Sequence, residues 1–262
     1  MSSSQARMLE ILNLFGDFKV EIRPEDVENA LQCSRATAYR YLKSLSYAGM
    51  LVSTGGGAFV LGPKIIELDR LIRRNDPVLT TTRPYLERLS IELNVGVMLC
   101  SYYGDQVLLA DAVWADSDGQ PDYERGRPMS MFSGAMAKVI LANVTPYQLR
   151  KLMLNHAAQI QAAGLGSDWK SFSSSMQKIR RERTCVTQSE VVKGLVGVAA
   201  PIFDSDERVI GSITLAIKSL RWEKGTEQDR FKQTISNAAF EITKKLSDLG
   251  AHQSGKSIKS DC

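Results

Sequence analysis

Histidine and closely spaced cysteines are scarce in this sequence. Its 262 residues include 2 histidines and 4 cysteines, and no two cysteines have the spacing of a zinc or iron–sulfur site. We therefore expect neither a metal nor a cofactor. Without a disulfide-like pattern, the thiols are expected to be reduced and mostly buried, as in cytoplasmic proteins.

Long hydrophobic runs and a large charge excess are also missing. The chain has no run of about 18 apolar residues and no signal-peptide pattern near its first residue, so no membrane association is expected. Lys and Arg number 33 against 29 Asp and Glu, which leaves a net charge of only +4. Any binding to nucleic acid must therefore come from local clustering of cations.

The motifs of a hydrolase are absent as well. The two histidines, His156 and His252, stand in polar stretches without a GxSxG motif or a flanking nucleophilic cysteine. Cys100 lies near Met98 on a predicted strand, which indicates a small core residue. We expect no catalytic residues. Two alternatives stay open, a small-molecule hydrolase and a thiol-based redox-responsive regulator that uses Cys100 or Cys185.

The stretch 33–50 is predicted to form a helix with an apolar face and a basic face. Its apolar residues recur at i, i+4 and i+7 on one side of a helix: Ala38, Leu42 and Leu45. The other side carries cations and hydroxyls but no carboxylate: Arg35, Thr37, Tyr39, Arg40 and Lys43. Such a helix suits the major groove of DNA, although the pattern alone equally fits a basic surface helix.

The flanking chain favours DNA binding. Short helices are predicted over 6–15 and from Pro24 onward, Ser34 is expected to cap the basic helix, and Gly49 to end it. Together they form a helix-turn-helix. The following LVSTGGGAFVL predicts a β-hairpin, and its tip would be a wing that approaches DNA with these residues: Thr54, Gly55, Gly56 and Gly57. A surface loop without a role is the alternative for the three glycines.

The chain divides into four predicted segments. These are a winged helix-turn-helix DNA-binding domain over 1–62, a linker helix over 63–76, a second domain over 77–250 and a disordered tail over 251–262. The linker helix has a wide apolar side, typical of a contact between domains or between two copies. Helices and strands alternate in the second domain so as to predict an α+β fold with a curved, mainly antiparallel sheet. A helix capped by Ser133 and a loop over 115–127 belong to this prediction.

These segments resemble the isocitrate lyase regulator (IclR) family of transcription factors. The matching N-terminal stretches are 9–12, 34–42, Gly49 and 62–64, and the matching C-terminal stretches are 127–128, 133–138 and 194–202. The resemblance covers roughly 6–249. Ala137 stands where the family usually has Gly, and Glu190 is the one carboxylate left of a usual acidic run. Both differences bear on the identity of the effector rather than on the architecture.

The resemblance implies a C-terminal effector-binding domain of GAF-like or profilin-like architecture. Carried over residue by residue, the effector site would be lined by Gly134, Ala135, Thr187, Leu195, Gly197, Thr214 and Ala216. Met131 and Phe132 lie near in sequence and would form an apolar wall, or else belong to the core. A helix beginning at Ser133 would offer free N–H groups to an effector carboxylate. The expected effector is a small organic acid or a modest aromatic metabolite.

The sequence assigns DNA contacts to Ser34, Arg35, Thr37, Tyr39, Arg40 and Lys43, together with the wing. Arg35 is the candidate for base readout, whereas Arg40 and Lys43 are assigned to phosphates. Because one recognition helix reads only a few base pairs, we expect a homodimer or homotetramer on a pseudo-palindromic operator in double-stranded DNA. The effector would change the arrangement of the paired helices, and a repressor is favoured over an activator.

Overall fold

The chain folds into two compact units, Met1–Asp76 and Pro77–Cys262. The computed structural model describes residues 4–115, 123–223 and 227–257. The division falls between Asp76 and Pro77, at the position chosen from the sequence as the domain boundary. Of the described helices, none is long and apolar enough to cross a membrane.

The first unit has the element order of a winged helix-turn-helix. In chain order its elements are α1 (Ser4–Glu10), α2 (Pro24–Leu31), α3 (Arg35–Tyr47), β1 (Leu51–Ser53), β2 (Phe59–Leu61) and α4 (Pro63–Asn75). The predicted helix over 6–15 is shorter, because the chain tightens into a 3₁₀ turn at Ile11–Leu14. The strands β1 and β2 pair antiparallel, with Val52 opposite Val60.

The core of the first unit is built around the apolar face of α3. Ala38 and Leu42 are completely buried and Leu45 is 3% exposed, as their helical spacing predicts. Ile22 adds a short extended segment, since its N–H and C=O both bond to Phe59 on the wing. This packing leaves the basic side of α3 toward solvent.

Two glycines join the end of α3 to the start of α4. Gly49 has a φ of +72°, the left-handed conformation that commonly ends a helix. Gly62 donates its N–H to Met50 O at 2.7 Å, and Lys64 donates to Gly49 O at 3.2 Å. A Cβ on Gly62 would lie 2.2 Å from Gly49 O, so no larger residue fits this junction without displacing backbone.

The second unit is a sheet between two layers of helices. Its helices are α5 (Pro77–Leu93), α6 (Ala135–Leu141), α7 (Pro146–Ala162), α8 (Trp169–Glu182), α9 (Ser219–Glu223) and α10 (Gln228–Ser257). Its strands are β3 (Gly96–Tyr103), β4 (Gln106–Val113), β5 (Pro128–Met129), β6 (Cys185–Gln188), β7 (Leu195–Phe203) and β8 (Val209–Lys218). The described strands form one sheet in the order β5-β4-β3-β8-β7-β6, and all the neighbouring pairs are antiparallel.

Each face of this sheet has its own core. On one face Leu99, Ile213 and Leu215 pack against α5 and α10, in a cluster that includes the fully buried Phe231. On the other face Met98 and neighbouring residues pack against α6, α7 and α8. The alternation of side chains along β3 separates the two cores. The predicted α+β fold with an antiparallel sheet is therefore confirmed, and the strand order, which the sequence left open, is now defined.

Three expectations for the second unit need correction or completion. The helix α6 begins at Ala135, and its N-cap is Gly134 with a φ of +83°, not Ser133. The helix α10 is described as far as Ser257, past residue 250, where the sequence predicts the second domain to end. Residues 258–262, and 116–122 of the loop predicted over 115–127, lie outside the described residues.

Candidate DNA-binding surface and effector pocket

The predicted base-reading side chain, Arg35, projects from the start of α3. Its side chain is 71% exposed and forms an ion pair with Glu25 of α2 at 2.6 Å. An ion pair this exposed contributes only about 0–1 kcal/mol, so it does not prevent Arg35 from turning toward another partner. Arg35 is thus accessible and loosely held.

Hydroxyl groups organise the first turn of α3. Ser34 is the N-cap, and its Oγ accepts the backbone N–H of Thr37 at 3.3 Å. The same hydroxyl donates to Thr37 Oγ1 at 3.0 Å. The cap predicted at Ser34 is confirmed, and it holds both hydroxyls at the exposed end of the helix, where Thr37 is half-buried.

The rest of the exposed side of α3 combines cations with an aromatic ring. Tyr39 is 48% exposed, and Lys43 Nζ lies 5.5 Å from the centre of its ring. Arg40 is exposed as well. The tyrosine that packs inward is Tyr41, which is 6% exposed and shares a 2.8 Å hydrogen bond with Ser4 of α1. Tyr39 is therefore free to act at the surface.

The wing presents backbone rather than side chains. A 3₁₀ turn at Gly55–Gly57 forms its tip, in which Gly56 and Gly57 have φ values of +76° and +80°. No heavy atom lies within 4 Å of a Cβ placed on any of the three glycines. Thr54 is exposed at the base of the turn and donates its N–H to Ala58 O at 2.9 Å. The predicted surface residues of the first unit thus lie on α3 and on the hairpin that follows it.

In the second unit, six of the predicted effector-site residues line one small cavity. These residues are Gly134, Ala135, Thr187, Leu195, Gly197 and Ala216. The strand register explains how they meet, because Thr187 is opposite Gly197, which is opposite Ala216. The start of α6 lies against this row, and a Cβ on Gly197 would come within 3.2 Å of Ala135 Cβ. The volume of about 30 Å³ is room for a single water molecule.

Met131 and Phe132 line a second, larger pocket instead. It measures about 660 Å³, a volume typical of small-molecule sites, and is also lined by Leu152 and His156 of α7. The rings of Phe132 and His156 lie 5.5 Å apart. Phe132 is 6% exposed and part of the core, so it both lines this pocket and packs in the interior.

Thr214 lies on the same face of β8 as Ala216 but does not line the small cavity. It is completely buried, opposite Met98 and Ala199 on the neighbouring strands. Its hydroxyl has no hydrogen-bond partner in the described part of the chain. Thr214 therefore stays a predicted contact without a cavity around it.

The sequence did not indicate Glu190 or Lys138 as residues of the effector site. One carboxylate oxygen of Glu190 accepts Lys138 Nζ at 2.7 Å, and the other accepts the backbone N–H of Gly134 at 2.9 Å. Ser133, the expected helix cap, instead donates its hydroxyl to Glu190 O at 3.3 Å. The signal was present in the sequence as the single carboxylate left in 187–190, but its partners lie more than fifty residues away.

Comparison with known proteins identifies the architecture that carries these two surfaces. A family model described as the C-terminal domain of the bacterial transcriptional regulator IclR matches residues 72–244. This match covers more than half of the chain. The chain belongs to the IclR family.

Similar proteins extend the relationship over both units. The Pca regulon regulatory protein of Pseudomonas putida is 22% identical to this IclR-family chain over 245 residues, which cover 93% of this chain and 84% of that protein. A crystal structure described as an IclR transcriptional regulator from Silicibacter sp. TM1040 has a TM-score of 0.79 at 20% identity, and covers 94% of this chain and 96% of that one.

A third similar protein is an IclR homologue from Microbacterium hydrocarbonoxydans that was crystallised with 4-hydroxybenzoate. Its TM-score is 0.66 at 15% identity, with 93% of this chain and 99% of that chain covered. At this identity the likeness shows the fold alone. The named relatives are transcriptional regulators and not enzymes.

Two thiols of this IclR-family chain are poor candidates for redox sensing. Burial raises the pKa of Cys100 to about 12, and that of Cys185 to about 12 as well. Both groups are therefore protonated near neutral pH, whereas reactive thiols are exposed and ionised. Cys100 Sγ lies 3.3 Å from Met136 Sδ in the core. Among the described residues, no group of His, Cys, Asp and Glu is arranged to hold a metal ion.

Proposed function

We propose that this protein is a cytoplasmic repressor whose binding to a pseudo-palindromic DNA operator is controlled by a small organic acid or aromatic metabolite. The observation that carries the proposal is the exposed basic side of α3 above a fully buried apolar side. Repression is the simpler mode of regulation, because a regulator bound to its operator can block transcription without any contact to a polymerase.

In this proposal the first unit binds DNA through α3 and the wing. Arg35 reads a base edge in the major groove, where a guanidinium forms paired hydrogen bonds with guanine. Arg40 and Lys43 contact phosphates, which position the helix without reading sequence. Gly55–Gly57 allow the wing backbone to approach the duplex, since no side chains intervene.

Two copies would pair through α4. The helix has no buried residue, yet Leu68 and Ile72 are apolar and 38% and 48% exposed. A second copy would remove this surface from water. The resulting dimer, or a tetramer of two dimers, presents two recognition helices to two half-sites.

The effector would bind in the second unit. Support comes from the pocket of about 660 Å³ and the small cavity beside it, which together include the predicted lining residues except Thr214. Binding changes DNA affinity only if the effector prefers one arrangement of the protein over another.

The test is a footprint of the protein on its own upstream DNA, with and without a panel of carboxylic and aromatic acids. A protected palindrome that is lost with one acid is the expected result. Arg35→Ala should weaken operator binding by about 1–3 kcal/mol and leave binding to random DNA nearly unchanged. Arg181→Ala, which removes an exposed cation from α8, is the matched control. Equal loss on operator and random DNA would show that Arg35 contacts only phosphate.

A further inference from the structure

Glu190 places the chain's own carboxylate on the Gly134 N–H, at the helix start that is expected to receive an effector carboxylate, and on Lys138. Its two oxygens accept the Gly134 backbone N–H at 2.9 Å and Lys138 Nζ at 2.7 Å. The Lys138 side chain is only 8% exposed, whereas that of Glu190 is 34% exposed. The cation is thus fixed inside the protein, and the anion reaches it from the surface.

A buried ammonium requires a counter-ion. Leaving such a charge without a partner in the interior costs several kcal/mol, much more than the net gain of forming an exposed ion pair. Lys138 lies on α6, where it is buried together with its helical neighbours. If Glu190 withdraws, another anion of similar size must therefore take its position.

Glu190 also separates the two cavities described above. It lines the outer pocket of about 660 Å³ and the inner cavity of about 30 Å³. The inner cavity is too small for any metabolite, so a ligand there would need the Glu190 side chain to move aside. Lys138 itself lines neither of these two cavities, so a ligand in the outer pocket would reach its ammonium only where the Glu190 carboxylate now lies.

The segment that carries Glu190 is a short, largely exposed loop between β6 and β7. We call residues 190–193 the flap. It is flanked by Ser189 and Gly194, whose φ values are +55° and +83°, and is closed at its base by a 2.8 Å bond from Ser189 N to Leu195 O. Val191 is 42% exposed even though its Cγ2 contacts the face of Gly134. Besides the Glu190 carboxylate, the flap is held by the Ser133 hydroxyl, which donates to Glu190 O at 3.3 Å, and by the Leu195 N–H, which donates to Val192 O at 3.2 Å.

We propose that Glu190 is a built-in competitor of the effector, and that binding exchanges its carboxylate for that of a small monocarboxylic acid. The exchange conserves charge, since one carboxylate leaves the Lys138 ammonium and the Gly134 N–H as another arrives. The proposal rests on the second unit being the effector domain of the proposed function, but it does not depend on DNA binding.

The same geometry defines the class of ligand. One ammonium and one N–H match a single carboxylate, and a second carboxylate in the outer pocket would meet the carboxylate of Asp105 as well as the apolar side chains of Met131 and Phe132. A neutral amide of the same shape does not replace the charge that Lys138 needs. The favoured ligand is thus a monocarboxylate with an apolar or aromatic body.

The test compares the full-length protein with Glu190→Gln in calorimetric titrations. The glutamine keeps the size of the side chain but removes the competing charge. The probes are acetate, propionate, benzoate and 4-hydroxybenzoate, with acetamide and 4-hydroxybenzamide as neutral analogues. Glu241→Gln is the matched control, because it removes one exposed carboxylate from α10, outside both cavities.

We expect at least one carboxylate to bind Glu190→Gln about tenfold or more tightly than it binds the wild type or Glu241→Gln, and the amides to show no such gain. Equal affinities in all three proteins, or no binding of any carboxylate to Glu190→Gln, would overturn the exchange. If the affinity gain appears but no DNA is protected in the footprint, the proposed function fails and the exchange stands.

A second measurement follows the flap itself and needs no ligand. Lys193 is exposed on the flap, and trypsin cleaves after lysine when the backbone is accessible. Glu190→Gln should increase the rate of cleavage after Lys193 severalfold, while cleavage elsewhere in the second unit stays at the wild-type rate. An unchanged rate at Lys193 would show that Glu190 does not hold the flap closed.

Discussion

At the scale of the residue, Asp26 shows how one carboxylate can secure the start of a helix. Its Oδ1 accepts Lys19 Nζ at 2.6 Å, and its Oδ2 accepts the backbone N–H of Arg23 at 2.7 Å. The hydrogen bond from Lys19, followed by the one from Arg23, lowers the pKa of Asp26 below its ordinary value. The carboxylate thereby stabilises α2, which packs against α3 in the core of the first unit.

Asp26→Asn should destabilise α2 at neutral pH by about 0.5–1 kcal/mol, because an exposed, hydrogen-bonded pair contributes little more than this. A carboxylate whose folded pKa is lowered contributes stability above its unfolded pKa near 4, and that contribution disappears as pH falls through the folded value. The difference between variant and wild type should therefore shrink below about pH 4. Amide hydrogen exchange of α2 measures it, with Glu21→Gln as an exposed control.

Some contacts of the two sites could be predicted from residues that are neighbours in the sequence, whereas others could not, for a definite physical reason. Ser34 caps α3 with a donor three positions along the chain, so its role was readable from the sequence. Ser133 looked like an equivalent cap, but the N–H of Gly134 takes Glu190 as its partner. A carboxylate from a distant part of the chain takes the place of the local helix cap. The spacing of residues in the sequence does not reveal such a long-range contact.

At the scale of the element, α4 carries an apolar stripe on its exposed surface. Ile65, Leu68 and Ile72 recur at i, i+3 and i+7, so they share one side of the helix. Ile66 is more exposed, at 75%, but lies about 100° away around the helix axis. Substitutions in the stripe and at the isolated isoleucine are therefore expected to affect self-association differently.

If two copies pair through α4, the double variant Leu68→Gln and Ile72→Gln should weaken dimerisation by about 1–3 kcal/mol. Ile66→Gln should leave it nearly unchanged, although it exposes the same kind of side chain. Sedimentation equilibrium over a range of protein concentrations measures both. Equal dissociation constants for the two variants would place the dimer contact elsewhere.

Element types were largely readable from the sequence, whereas their neighbours in the sheet were not. Gly104 and Asp105, both with positive φ, form the tight turn expected between β3 and β4. The position of β8 between β3 and β7 depends on contacts across more than a hundred residues. Periodicity describes one strand at a time and contains no such information.

At the scale of the whole molecule, a net charge of +4 leaves little general attraction to DNA. If α3 is the recognition helix, as proposed, affinity must come from the few cations that it presents together. Each phosphate contact releases counterions, so the logarithm of the binding constant falls linearly with the logarithm of salt concentration.

In a dimer, Lys43→Ala should reduce the magnitude of that slope by about 2, because one phosphate contact is lost in each protomer. Lys178→Ala, which removes an exposed cation from α8, should leave the slope unchanged. Fluorescence anisotropy between about 50 and 200 mM salt covers the useful range. A slope unaffected by Lys43→Ala would remove this residue from the DNA contacts.

The joint between α3 and α4 has a mechanical consequence. Gly49 and Gly62 touch backbone to backbone, and hydrogen bonds tie each side of this joint to the other. We therefore expect α3 and α4 to rotate together rather than to bend at this joint. If a partner copy pairs through α4 as proposed, a rotation of α4 would move the side chains of α3 with it, and a small rotation would change how two recognition helices match the pitch of the double helix.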